Sequence, residues 1–130
     1  MAFMIDTNIA IHARDGDDGV LEQLALHDGA VMLSSLSLAE LERGVNKDPS
    51  RSSLRSARLS ILLDHLPVVP FDGVAAKRYG QIIAQCGWAR GRDFDRMIAG
   101  HALSLSATLV TNNERDFSDI PQLSIENWLK

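Results

Sequence analysis

Along this chain, short apolar runs alternate with stretches where apolar residues return every three or four positions. Residues 2–5 form one such run, ending at Asp6, and read as a buried strand. Residues 19–28 predict a brief helix closed by Asp28-Gly29, and residues 30–33 predict a second strand. Ser34 to Ser37 offer several N-caps for a helix running to about Asn46, which Asp48-Pro49-Ser50 breaks. From Arg51 to about His65, Leu54, Ala57, Ile61 and Leu62 form a helical stripe ended by Leu66-Pro67. Val68-Val69 is a short strand, and Asp72 caps a helix to about Gln85 with Val74, Tyr79, Ile82 and Ile83 as apolar members. A glycine-bounded loop at 87–91 precedes a helix over 93–106, capped by Asp93 and packed through Phe94, Ile98 and Leu105. Residues 108–110 and 123–125 predict the last strands, the latter at an edge.

Strands that alternate with helices argue for a parallel sheet covered on both faces. The expected class is therefore α/β, a three-layer α/β/α sandwich with a mainly parallel central sheet. The 130 residues carry no repeat, low-complexity tract or linker, so a single domain over 1–130 is expected. A hydrophobic share of 45% and a charged share of 23% suit a globular protein. No apolar run nears the roughly 20 residues that span a bilayer, and no signal peptide is visible, so no membrane partner is expected. One cysteine, Cys86, excludes an internal disulfide and points to the cytoplasm.

Against this frame stand four carboxylates. Asp6 ends the first strand, Glu40 lies in Leu38-Ala-Glu-Leu41, Asp95 opens the helix from Asp93, and Asp116 follows the strand at 108–110. Each falls at an element's beginning or end, and open α/β sheets gather such junctions into one crevice. Carboxylates about 5 Å apart repel by roughly 3 kcal/mol per pair at an effective dielectric of 20. A hard cation relieves that repulsion, so the set reads as a Mg²⁺ site, with Mn²⁺ as alternative, for phosphodiester chemistry. Each acid also has a plainer reading. Asp6 suits a helix N-cap, Ser37 to Glu40 fits a capping box, Asp95 suits a helix dipole, and Asp116 a polar loop with Asp119 as rival. Glu42, two positions beyond Glu40, should face elsewhere.

The net charge of −4 excludes a generic nucleic-acid coat protein but not a nuclease, whose acids cluster in one pocket. Ten of the 13 basic residues are arginine, the better phosphate partner. Trp88, Arg90 and Arg92 share the glycine-bounded loop and suit contact with an RNA strand, or a solvated loop with one anchoring indole. Arg51, Arg55 and Arg58 form a basic stripe that reads as a solvated face or a guide for RNA or an acidic partner. The four histidines lack metal-ligand spacing and are expected to be structural or at the surface. No nucleophile elbow, P-loop or dinucleotide fingerprint occurs.

Met4-Ile-Asp-Thr-Asn8, Leu38-Ala-Glu-Leu-Glu-Arg-Gly-Val45, Asp95-Arg-Met-Ile-Ala-Gly-His-Ala102, Leu109-Val-Thr-Asn-Asn-Glu-Arg-Asp-Phe117 and the tail Leu123-Ser-Ile-Glu-Asn-Trp128 follow one another in order. Together they resemble the PIN-domain ribonucleases, and more narrowly the VapC toxins of type II toxin–antitoxin systems. The resemblance implies a PIN-like fold and Asp6, Glu40, Asp95 and Asp116 as catalytic acids. Thr7, Thr111 and Asn112 are implied as supporting polar residues. It further implies RNA as substrate, a 5′-phosphate product, a cognate VapB-type antitoxin as inhibitor, and a homodimer within a larger complex. Gly-Arg-Asp-Phe before Asp95 departs from the apolar-proline pattern of many relatives.

The reading that results is a Mg²⁺-dependent endoribonuclease, a hydrolase in which Asp6 and Asp95 anchor the metal and Glu40 and Asp116 complete the shell directly or through water. Magnesium keeps several waters, so sparse protein ligation is expected. Two alternatives stand beside it. One is a catalytically silent binding module whose acids receive a basic antitoxin arm. The other is a housekeeping metal-dependent nuclease.

Overall fold

The computed structural model describes residues 1–129. In chain order the elements are β1 (Phe3–Ile5), α1 (Thr7–Arg14), α2 (Asp18–Leu26), β2 (Val31–Ser34), α3 (Ser35–Lys47), α4 (Ser52–Leu63), β3 (Val68–Val69), α5 (Gly73–Cys86), α6 (Asp93–Ser104), β4 (Thr108–Val110), α7 (Glu114–Phe117) and β5 (Ile125–Glu126). The strands make one sheet in the order β3-β2-β1-β4-β5, and every pairing is parallel. β1 lies at the centre because Phe3, Met4 and Ile5 are all buried, which suits a strand covered on both faces.

Side chains alternate across the sheet and so sort into two cores. Phe3, Ile5, Val31, Leu33 and Val110 pack with Ile9, Ala10, Val20, Leu41, Val45, Leu59 and Leu62 from α1 to α4. Met4 and Leu109 pack on the other face with Ile82, Ile98, Ala99, Ala102, Phe117 and Ile120 from α5, α6 and the region of α7. The expected three-layer arrangement is therefore present.

Several elements differ from expectation. α1 was not predicted, although Ile9, Ala10 and Ala13 supply its buried stripe and Asp6 caps it by accepting from the Ile9 amide at 2.9 Å. α7 replaces the loop expected around Asp116. The stripe drawn for α4 is displaced: Leu59 and Leu62 are buried, while Leu54 and Ile61 are exposed. Val74 of α5 and Leu105 beyond α6 are likewise exposed. Asp93 does not cap α6 but is its first residue, accepting from the Tyr79 hydroxyl on α5. α5 and α6 meet closely at Gly100, where an added Cβ would lie 2.7 Å from the Tyr79 amide nitrogen. β5 begins at Ile125, at the far end of the predicted 123–125.

Candidate active site

The strand order reverses on either side of β1, so the carboxyl ends of β1 and β4 form the crevice where open α/β sheets bind ligands. Asp6 sits at that point, its amide donating to the Val110 carbonyl across the β1–β4 seam at 3.0 Å. Its side chain is buried and serves two ends at once. One oxygen caps α1, and the Thr111 hydroxyl at the end of β4 also bonds the carboxylate. The plainer N-cap reading is thus true, and it aims Asp6 into the crevice rather than competing with that role. Burial pushes the Asp6 carboxyl up, against the lowering by Thr111 and the Ile9 and Asn8 amides, with Glu40's charge adding a further rise.

Glu40 comes from the second turn of α3, not the first. The cap of α3 is Ser34, whose Oγ accepts from the Leu36 amide at 3.1 Å. Ser37 lies inside the helix, so the capping box fails and the Glu40 side chain is left for other partners. It accepts from Thr7 Oγ1 at 2.6 Å, and Arg43 Nη2 stands 3.6 Å from its other oxygen. Glu42 is exposed, as expected for a residue facing elsewhere.

Asp95 projects from the first turn of α6 into the same place. Asp6, Thr7, Asn8, Glu40, Asp95 and Asn113 line a pocket of about 350 Å³, walled by Ile11, Phe94 and Ile98 and edged by Gly91. Burial raises the Asp95 carboxyl to about 6, assisted by the negative charges of Asp116, then Asp6, then Glu40, and opposed by Arg92. Asp116 does not line the pocket but stands at its rim, where its charge acts on Asp95 and Arg92 Nη2 lies 3.9 Å away. Asp119, its sequence rival, is drawn off by Arg96 Nη2 at 2.9 Å, which holds its carboxyl below the usual range.

The supporting residues divide. Thr7 and Thr111 contact the acids, and Thr111 also accepts from the Asn113 amide at 3.0 Å. Asn112 is exposed and its Oδ1 accepts from Asn127, so the pocket instead receives its neighbour Asn113. Asn8 and Asn113 were not singled out in the sequence. Asn8 directly follows Asp6-Thr7, which is the only signal it carried. Trp88 is 63% exposed on the loop between α5 and α6, whose ends Gly87 and Gly91 both take φ of 82°, a conformation that favours glycine. Arg90 is exposed on the same loop. Arg55 donates to the Gly44 carbonyl, and Arg55 and Arg58 act electrostatically on Asp15, so these two face α1 and α3. His101 is buried and structural: Nδ1 meets Ser34 Oγ at 2.9 Å, and the Pro70 carbonyl is a further partner.

Among the described residues, no three His, Cys, Asp or Glu side chains already encircle one point as a ready cation cage. The donors are nonetheless all hard oxygens, Asp95 is crowded by like charge, and the pocket has room for several waters. That set fits Mg²⁺ or Mn²⁺ held by few carboxylates, and it does not fit Zn²⁺ bound through nitrogen and sulfur.

The model of the PIN domain matches residues 3–123. Ribonuclease VapC2 of Rickettsia felis is 38% identical over 137 residues, spanning 100% of both chains. The tRNA(fMet)-specific endonuclease VapC of Shigella flexneri is 36% identical over 135 residues, spanning 98% of each. Among solved structures, VapBC2 from Rickettsia felis bound to a promoter DNA fragment has a TM-score of 0.88 and 35% identity, covering 98% of this chain and 99% of that one.

Proposed function

Because this chain belongs to the PIN domain family, and within it to the VapC ribonucleases, we propose that it is the toxin of a type II toxin–antitoxin system that cleaves RNA phosphodiester bonds with the help of Mg²⁺. One observation carries this reading: three carboxylates from three separate elements, Asp6, Glu40 and Asp95, line one pocket at the carboxyl end of a parallel sheet, with Asp116 at its rim.

Asp6 and Asp95 hold the cation, and Glu40 and Asp116 complete its surroundings directly or through water. A bound Mg²⁺ or Mn²⁺ supplies Lewis acidity for in-line hydrolysis. Thr7 and Thr111 fix the rotamers of Glu40 and Asp6, so the acids keep their places when substrate arrives. Gly91, at the pocket edge, puts the loop of Trp88, Arg90 and Arg92 beside the acids. There the exposed indole offers a stacking face and Arg90 a phosphate partner. Arg92 is shared with Asp116 and offsets part of the pocket's negative charge.

A VapB-type antitoxin is the expected inhibitor, and a homodimer within a larger complex the expected assembly. The activity belongs in the cytoplasm, where the free Cys86 thiol stays reduced. Among the described residues, no helix is long and apolar enough to cross a membrane. With a tRNA(fMet)-specific endonuclease among its relatives, initiator tRNA is the first substrate to test.

The test is incubation of the purified chain with initiator tRNA and with total RNA. Internal cleavage leaving 5′-phosphate ends is expected with Mg²⁺, lost with chelator and restored by Mn²⁺. Cleavage indifferent to chelator, or no cleavage of any RNA class, overturns the reading.

A further inference from the structure

Next to Asp95 on α6 lies Arg96, only 2% exposed and among the largest fully buried side chains. A guanidinium in such a place is normally surrounded by acceptors. Here its Nη2 pairs with Asp119 Oδ2 at 2.9 Å, while Nε and Nη1 have no hydrogen-bond partner among the described residues. The Asp119 carboxylate raises the basicity of the guanidinium against the lowering by burial, and the Cys86 sulfur beside it adds to the rise. An ion pair with a buried guanidinium and a half-exposed carboxylate contributes little to stability compared with an apolar side chain of similar volume. Packing alone therefore does not account for it.

Its position in the chain suggests another role. Arg96 follows Asp95, and Asp119 lies three residues after Asp116. The pair thus joins the first turn of α6 to the segment leaving α7. The last residue of α5 grips the same point, since Cys86 Sγ donates to the Asp119 carbonyl at 3.4 Å. Asp119 is held through both its carbonyl and its carboxylate, and Phe117 and Ile120 beside it are buried. The short helix carrying Asp116 has only four residues and no side-chain cap, so it depends on such external ties.

We propose that Arg96 is a positioning residue: its ion pair with Asp119 clamps the α7 segment to the start of α6 and so sets Asp116 beside Asp95. It touches neither RNA nor cation. The inference rests on the metal-dependent cleavage proposed above, and it concerns how that site is held together.

The full-length chain with Arg96→Met tests it. Asp119 is 46% exposed, so removing the guanidinium strands no buried charge and the fold should persist. Mn²⁺ binding to the free protein should weaken by about 10- to 100-fold, the usual effect of losing a group that orients a metal-binding residue. RNA cleavage should fall in kcat by a similar factor with KM changed less than about threefold, because a displaced carboxylate harms the reaction more than substrate binding. Amide exchange should quicken over residues 114–120 and stay unchanged in β1 and β4. Asp119→Asn should reproduce these effects more weakly, and Arg96→Lys, which keeps the charge, should recover much of the Mn²⁺ affinity. Should Arg96→Met not fold, Asp119→Asn, at its exposed position, decides the matter alone. Wild-type Mn²⁺ affinity and wild-type exchange over 114–120 in Asp119→Asn overturn the proposal. A wild-type chain that neither binds Mn²⁺ nor cuts RNA overturns the function assigned to the site instead, and exchange over 114–120 then still decides for or against the clamp.

Discussion

On the face of the sheet that carries α1 to α4, the acids are tethered by donors. Asp6 receives the Ile9 amide and the Thr111 hydroxyl, and Glu40 receives Thr7 at 2.6 Å. On the opposite face, no such hydroxyl bonds Asp95 or Asp116 among the described residues. Asp95 is instead raised to about 6 by burial and by its neighbours' charges, and Asp116 meets Arg92 at a loose 3.9 Å. One half of the pocket is therefore hydrogen-bonded before any ligand arrives, although burial raises Asp6 too, and the other half carries burial and charge repulsion without such bonds. A divalent cation has most to offer on the α6 side. The two faces bury different polar groups as well: Arg96 and His101 on the α5–α6 side, and Asp6 with Ser34 and Ser37 at the start of α3 on the other.

The largest expected effect comes from neutralising the tethered half. Asp6→Asn should reduce RNA cleavage by more than about 100-fold, beyond the loss from removing a merely orienting partner. Thermal stability should hold, because asparagine caps a helix as well as aspartate does. A cleavage assay beside a melting curve checks both, and a cleaving Asp6→Asn protein would break the comparison. On the other face, Gly100→Ala places a Cβ 2.7 Å from Tyr79 N and 2.9 Å from Tyr79 Cα. The helices must separate, at a cost of about 1–3 kcal/mol in denaturant unfolding. An unchanged midpoint would show that the contact is slack. Thr7→Val keeps shape but removes the donor to Glu40, and about a tenfold loss of cleavage at limiting Mg²⁺ is expected.

A subtler effect separates the halves by pH. In the metal-free protein the folded Asp95 carboxyl titrates near 6, above its ordinary 3.8. Between those values the unfolded chain releases a proton that the folded chain retains, so this group lowers stability as pH rises through the window. Asp95→Asn should accordingly stabilise the metal-free protein at pH 7 and do so less at pH 4, as followed by urea midpoints. Equal increments at both pH values would remove the charge repulsion ascribed to the α6 side. Added Mg²⁺ should abolish the advantage at pH 7. Smallest of all, Glu42→Gln on the exposed side of α3 should leave cleavage unchanged and stability within about 0.5 kcal/mol.

Much of this was readable from residue patterns. The apolar runs located all five strands to within two residues, since strands buried on both faces must be continuously apolar. The four acids could be picked out as carboxylates near strand and helix ends, although Glu40 proves to lie in the second turn of α3 rather than at its boundary. What escaped had tertiary causes. α1 was obscured because Asp6 was read as the end of a strand, while it also begins a helix. Glu40's capping role depended on which of several serines caps α3, and packing chose Ser34, whose hydroxyl also meets His101. The exposed Leu54 and Ile61 misplaced the α4 stripe, since burial of Leu59 and Leu62 depends on how that helix is rotated against α1 and α3. Asn112 and Asn113 are chemically alike, and only the turn after β4 decides which one enters the pocket. The Arg96–Asp119 pair spans 23 residues, beyond any local pattern.

The register of the sheet has a temporal consequence. Phe3 pairs with Thr108, so the innermost strand waits for a partner translated more than a hundred codons later. Asp95 and Asp116 arrive later than most of the chain as well. On a ribosome the pocket can thus assemble only after Asp95 and Asp116 have both been translated, long after Asp6 and Glu40.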